Sequence, residues 1–386
     1  MVFYLIIGMI MAIYGGMNYY IGFWFWKRLG PKLPFLSGKV YCIIFTAVVI
    51  TSLIGVIWNH YLPHFLQDGF YLAASYWLAA VAYFTIFILI IDMIRLLDRW
   101  LGFIPLAIKH KPMVSFVAGL LVFVTVGVLF VYGTLNARAL TVTPYSINIA
   151  KQAGSLKQLR VALLSDIHLS GLEDKSMENL VDTINKMNPD IVLISGDIID
   201  ANRDTEPYEL RVMEYNFQKI KSKYGIYASL GNHDYDEKGD SSYRIDRFKQ
   251  AGVNVLRDSS VKIDNSFYLI GREDKFYERI SGQKRKNLSI PMEKMDMKLP
   301  VIVLDHQPID LEESRVAGVD LQLSGHTHKG QLFPFNFITS KIFQIDYGYL
   351  NIGNLQVVVS SGAGTWGPPI RIGSNSEIVD ITLHFK

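Results

Sequence analysis

The chain has a single cysteine, Cys42, in 386 residues, and it falls inside an apolar run. That excludes an intrachain disulfide and any cysteine-built metal site. Net charge is also small, +3 at pH 7, too little to suggest a nucleic-acid polymer as partner. Internal repeats and low-complexity tracts are absent. Charge is missing where its absence says most: stretches at about residues 2–26, 40–58, 71–94 and 114–132 carry none except Asp92, at the end of one of them.

Each of these stretches has about the ~20 residues a helix needs to cross a hydrocarbon core. Core helices of a soluble bundle show a polar face, and these do not. Half of all residues are hydrophobic, and most of that content lies before residue ~135, so residues 1–134 read as a four-helix transmembrane region and 135–386 as a second domain. The first stretch lacks a basic leader and is longer than the apolar part of a signal peptide, so it is expected to be retained. Lys27, Arg28, Lys32 and Lys39 fill the first loop, and Arg95, Arg99, Lys109 and Lys111 outweigh Asp98 in the third; the second has only His60, His64 and Asp68. Basic loops stay in the cytoplasm. The expectation is a multi-pass protein of the cell membrane with its second domain outside the cytoplasm. Tyr19, Tyr20, Trp24, Trp26, Trp58, Tyr61 and Trp100 sit where an interfacial aromatic belt would, with ordinary packing an equal alternative for each. A basic cluster at 272–286 reads either as a solvated loop or as a surface for anionic lipid or substrate.

After the apolar region, strand and helix patterns alternate. Residues 139–149 suggest an edge strand; 159–165, 191–195 and 225–230 suggest buried strands separated by helices at 174–187 and 207–223, which is a parallel βαβ pattern. Further strands are expected at 267–271, 301–304, 319–323, 357–361 and 378–385. The sum is an α/β domain, a two-sheet β-sandwich flanked by helices.

Five motifs stand just after these apolar runs: Asp166-Ile-His168, Gly196-Asp197-Ile-Ile-Asp200, Gly231-Asn232-His233-Asp234, Asp305-His306 and Gly325-His326-Thr-His328. They supply N/O donors that suit divalent ions. In an extended chain Asp166 and His168 leave on one side, as do His326 and His328. Asp197 can offer one oxygen to each of two metals, although a lone Gly-Asp after a strand is as often a helix cap. Asp200 is expected to orient a histidine. His233 would project toward substrate to stabilise phosphoryl oxygens or protonate the leaving oxygen, with Asp234 fixing its tautomer. His60, His64, His110 and His384 are left as structural. In the glycine-rich stretch 361–371, Arg371 could clamp a second phosphate and Trp366 contact a base, sugar or acyl chain, with plain core burial a comparable alternative.

Taken in order, the five motifs resemble the signature of the calcineurin-like metallophosphoesterase superfamily. Ser324-Gly-His-Thr-His-Lys-Gly-Gln331 and Ser361-Gly-Ala-Gly-Thr-Trp-Gly-Pro-Pro-Ile-Arg371 are similar to later blocks of its bacterial membrane-anchored phosphodiesterases. The resemblance covers about residues 135–383. It implies one metal held by Asp166, His168, Asp197 and His328, a second by Asp197, Asn232, His306 and His326, and a bridging hydroxide that attacks phosphorus in line. Manganese, iron or zinc would suit those ligands, manganese being favoured. Lys329 stands where that branch commonly has glycine, which bears on substrate contacts. The implied activity is hydrolysis of a phosphodiester or pyrophosphate in a lipid-linked or cell-envelope substrate. A phosphomonoesterase is the near alternative, and a non-catalytic metal-binding membrane protein the distant one. The lipid bilayer is the expected partner, and oligomeric state stays open.

Overall fold

The computed structural model describes residues 2–109, 111–169, 174–200, 206–236 and 238–386, so His110 lies outside the described residues. The chain forms two compact units, residues 1–132 with 367–369 and residues 133–366 with 370–386.

Four long helices make the first unit: α1 (Val2–Leu29), α2 (Gly38–Ile57), α3 (His64–Leu101) and α4 (Pro112–Arg138). All four are long and apolar enough to cross a membrane. Ser37 starts α2 by accepting a hydrogen bond from the Val40 N–H. The third helix is 38 residues long, well beyond the expected 71–94. Asp92, Arg95, Asp98 and Arg99 end its apolar character without breaking its backbone, and the helix stops only at Gly102, in a left-handed conformation with φ 65°. Gly55 lets α2 approach α3, since a Cβ there would lie 2.2 Å from the Phe70 carbonyl oxygen. Asp92, the charge at the end of its stretch, has partners within the unit. It pairs with the buried Arg28 at 3.2 Å and accepts from Tyr20 and Trp24, which satisfies both charges within the unit.

The second unit begins with the last turns of α4 and continues through β1 (Leu140–Ile149), β2 (Gln158–Leu164), α5 (Asp174–Met187), β3 (Ile191–Ser195), α6 (Glu206–Phe217), β4 (Ile226–Ser229), α7 (Ser242–Gln250), β5 (Val253–Val255), β6 (Ser259–Ile263), β7 (Phe267–Gly271), α8 (Lys275–Ser281), β8 (Val301–Leu304), α9 (Leu311–Ala317), β9 (Leu321–Ser324), α10 (Asn336–Ile342), β10 (Gly348–Ile352), β11 (Leu355–Val359) and β12 (Ser376–Phe385). Two mixed six-stranded sheets result, ordered β1-β12-β2-β3-β4-β5 and β10-β11-β9-β8-β7-β6. β1 is an edge strand, as its alternation predicts. The strands β5, β6 and β10 were not expected: β5 has three residues, and β6 and β10 lack the unbroken apolar runs of the central strands.

Alternation decides which side chains fill the space between sheets. Leu159, Val161 and Leu163 of β2 face Leu269, Ile302 and Leu323, while Ala162 and Leu164 point the other way to Leu180, Ile184 and Met213 on α5 and α6. Both faces of the central strands are therefore apolar, which is why their sequences read as unbroken runs. β2, β3 and β4 run parallel, and so do β8 and β9, which gathers the carboxyl ends of each set at one edge.

Candidate metal centre

Every motif begins within three residues of a strand end, and the backbone there is not extended. Asp166, His168, Asp197, His326 and His328 have φ of 49°, 44°, 53°, 70° and 50°, a left-handed region that is unfavourable for residues other than glycine. The extended-chain expectation for Asp166 with His168 and for His326 with His328 is thus corrected: a twist at each residue, not a pleat, aims the side chains. Such conformations persist only where surrounding structure enforces them, and they gather at functional sites. Two glycines make the crowding possible. A Cβ on Gly231 would stand 2.2 Å from Asp197 Oδ1, and one on Gly325 would stand 1.6 Å from Ser165 Oγ.

Two groups of donors form. In the first, His168 Nε2 and His328 Nε2 are 3.2 Å apart, and Asp166 Oδ1 lies 3.4 Å from His328 Nε2 and 3.9 Å from His168 Nε2. In the second, His306 Nε2 lies 3.1 Å from Asp197 Oδ2, 3.2 Å from Asn232 Oδ1 and 3.3 Å from His326 Nδ1. His326 and His328 thus go to different groups. The groups meet at one atom: Asp197 Oδ2 is also 3.6 Å from His168 Nε2, while Oδ1 accepts the His233 N–H at 2.8 Å. A single carboxylate oxygen faces both groups, in place of the expected one oxygen for each.

The residues present fit divalent ions. His306 Nδ1 sits 2.7 Å from the Ser195 carbonyl, which can only accept, so Nε2 is the nitrogen left to face Asp197 and Asn232; burial lowers the pKa of this imidazole, but the Asp197, Asp166 and Asp274 carboxylates outweigh it and favour a positive charge there, the place a cation would take. Burial presses the His328 imidazole down to about 3 and His326 to about 4, so both are neutral and able to donate a lone pair. Two buried carboxylates converge with four imidazoles and an amide oxygen, with no sulfur among them, a set suited to manganese, iron or zinc.

His233 stands beside the groups, its Nδ1 2.8 Å from Asp200 Oδ1, and the same oxygen is 3.5 Å from His168 Nδ1. Burial pushes the His233 pKa down, but the Asp200 hydrogen bond and the charges of Asp197 and Asp200 outweigh it and lift it to about 9. Asp234, expected to fix the His233 tautomer, has a different task. Its carboxylate accepts the N–H groups of Gly231, Asp197, Ile198 and Ile199 at 2.8, 2.9, 3.0 and 3.3 Å, bracing two ligand loops against each other. Asp200 is the group that holds His233.

The three expected substrate contacts separate. Arg371 is fully buried, its Nη2 donating to the carbonyls of Ser361, Gly362 and Gly364 at 2.7, 3.1 and 2.6 Å and its Nη1 to Ser374 Oγ at 3.2 Å. It is a brace inside the glycine-rich loop, where phosphate cannot reach it. Lys329 has φ 52°, a conformation glycine adopts more readily, and its ammonium lies over the Tyr347 ring at 4.1 Å. Trp366 alone is open, 56% exposed with its ring 6.3 Å from that of His233.

The basic cluster at 272–286 divides: Lys275, Arg279, Lys284 and Lys286 are exposed, as the solvated-loop reading expects, and two arginines are not. Arg272 and Arg285 are buried, Arg285 Nη1 bonding Asp305 at 3.0 Å and Arg272 Nη1 bonding Glu313 at 2.8 Å, so they anchor the loop that carries His306. Charge spacing gives no sign of this, because the acids they meet are distant in sequence.

The family model for the calcineurin-like phosphoesterases matches residues 159–330. An uncharacterized metallophosphoesterase of Aquifex aeolicus is 30% identical over 258 residues, covering 66% of this chain and 96% of the relative. This chain belongs to the calcineurin-like phosphoesterase family. An uncharacterized metallophosphoesterase of Campylobacter jejuni is 27% identical over 394 residues and matches both chains over 100% of their lengths. A Danio rerio protein described as a transmembrane protein with a metallophosphoesterase domain is 28% identical over 384 residues, 92% of this chain and 82% of its own. The similarity to these two therefore extends across the helical region. The chain is a metallophosphoesterase, a hydrolase whose fold implies divalent metal ions and whose four apolar helices associate it with a membrane.

Proposed function

We propose that this hydrolase cleaves a phosphodiester or pyrophosphate bond at the membrane surface, in a lipid-linked or cell-envelope substrate. The observation that carries the reading is the meeting of two donor groups at Asp197 Oδ2, 3.1 Å from His306 and 3.6 Å from His168. Asp166, His168, Asp197 and His328 would hold one ion; Asp197, Asn232, His306 and His326 the other. When bound, such a pair lowers the pKa of a water and neutralises charge gathering on the phosphoryl group. His233, oriented by Asp200 and positively charged below about 9, faces the site to stabilise the phosphoryl oxygens and to protonate the leaving oxygen. Trp366 supplies an open aromatic face beside it for the leaving group.

In this reading residues 1–134 are the transmembrane region and 135–386 the enzyme domain. The basic first and third loops support an extracytoplasmic position for that domain. Full-length protein in phosphatidylcholine nanodiscs with manganese should hydrolyse bis(p-nitrophenyl) phosphate faster than p-nitrophenyl phosphate. Equal turnover by wild type and Asp197→Asn would reject the mechanism, and a preference for the monoester would reject the substrate class. External protease that leaves the domain intact in whole cells while cutting it in lysates would reverse the orientation.

A further inference from the structure

The segment that follows the last two histidine ligands is unlike the rest of the enzyme surface. Between Gln331 and Ile345 there is no acidic residue and one lysine, Lys341, against four phenylalanines and three isoleucines. α10 lies in it, and Phe335, Phe337, Ile338 and Ile342 are 36%, 59%, 54% and 68% exposed. A soluble surface does not normally carry so many large apolar groups on one short helix. What they would face is indicated by what the segment is tied to. The Phe333 N–H donates to the Ile372 carbonyl at 2.7 Å, and one residue earlier the Arg371 N–H donates to the carbonyl of Gly133, in the last turns of α4. Asn136, also on α4, donates to the Arg371 and Ser374 carbonyls at 3.1 and 2.8 Å. α4 ends at Arg138 and β1 begins at Leu140, so one residue separates a bilayer-crossing helix from the enzyme sheets. The exposed apolar helix is thus laced, through a short ladder, to the last turns of α4, a helix long and apolar enough to cross a membrane. Its other end reaches the site: the Phe343 ring is 6.0 Å from the His326 ring.

We infer that α10 and its flanks form an interfacial anchor that lies in the lipid headgroup boundary and leads the acyl chains of a membrane phosphoester toward the metal centre. This rests on the proposed reading for the chemistry and adds the substrate class, a phosphate or pyrophosphate ester carried on a hydrocarbon chain. Phe335, Phe337, Ile338 and Ile342 supply the apolar contact and Lys341 suits anionic headgroups, the arrangement of an amphipathic interfacial helix. The occupant is the bilayer's own lipid.

Two arms test it on the full chain in phosphatidylcholine nanodiscs. With Cys42→Ser as background, bimane on Ile338→Cys should be quenched about twofold or more by brominated lipid, and bimane on Tyr243→Cys, an exposed position of α7, should not. Quenching at 338 no greater than at 243 overturns the anchor, whether or not the protein hydrolyses anything, so this arm is independent of the proposed activity. In the second arm, dihexanoyl phosphatidic acid should inhibit bis(p-nitrophenyl) phosphate hydrolysis about tenfold more strongly than glycerol 3-phosphate, an advantage of the size apolar burial supplies. Phe337→Ser with Ile338→Ser should erase that advantage and leave uninhibited turnover unchanged. Equal potency of the two inhibitors on the wild type overturns the lipid substrate class.

Discussion

Ile43, Leu121 and Val128 in the helical unit stand 69%, 59% and 61% exposed, while Leu163, Leu193 and Leu323 in the sheet unit are wholly buried. The same residue types are placed outward in one unit and inward in the other because the surrounding solvent differs. Lipid makes no demand that apolar side chains be hidden, so helices can hold together by close contacts such as Gly55 on α3 and by a few polar bonds such as Arg28 to Asp92. Water does make that demand, and the sheet unit meets it with two apolar layers. Polar groups that enter its interior are held by several bonds each: Asp234 accepts four N–H groups, and Arg371 donates to three carbonyls and Ser374 while its Nε stays unpaired. The chemistry lies in the unit whose interior is most tightly specified.

Breaking the sheet unit's central charge should have the largest effect. Asp197→Asn removes the oxygen shared by both groups, and turnover should fall at least about 10³-fold. Elemental analysis should show metal lost while membrane insertion of the helices is unchanged. Replacing His233 by Gln should cost about 10²- to 10⁴-fold in kcat, the usual contribution of a general acid, with metal content intact; a variant that also lost metal would make His233 a structural partner of the loop. Gly325→Ala forces a Cβ into Ser165 and Asp166, and should lower the stability of the sheet unit by about 3 kcal/mol, read from denaturant unfolding. For Arg371→Met, which strands three carbonyls, the expectation is about 2 kcal/mol of lost stability in place of a specific rise in KM. A pure KM effect would return Arg371 to the substrate. The smallest change belongs to the helical unit: Ile43→Ala, on a surface facing lipid, should shift stability by no more than about 0.5 kcal/mol, and a cost of several kcal/mol would mean that this face is buried against protein.

The motifs were legible because ligand identity is local: Asp166, His168, Asp197, Asn232, His306, His326 and His328 stand at the ends of apolar runs, and the structure brings all seven together. Partnerships were not legible. Asp234 looked like the partner of His233 because it is adjacent, yet adjacent side chains diverge, and Asp200, 33 positions away, occupies that place. Whether Arg285 and Arg371 lie at the surface or inside was not legible either, because a short charged or glycine-rich stretch carries no mark of depth. The left-handed turns at Asp166 and Asp197 were hidden for a similar reason: nearby chain from other strands imposes them.

The sequence by itself determined the four membrane helices, since lipid reads the length and apolarity of a continuous run, and it determined which residue types would meet the metals. Only tertiary structure decided that one oxygen of Asp197 faces both groups, that Asp200 and not Asp234 holds His233, that Arg371 is inside, and that the apolar helix α10 is tied to the last turns of α4. Each of those depends on distances between residues far apart in the chain. Strand pairing and packing set such distances, and no local pattern encodes them.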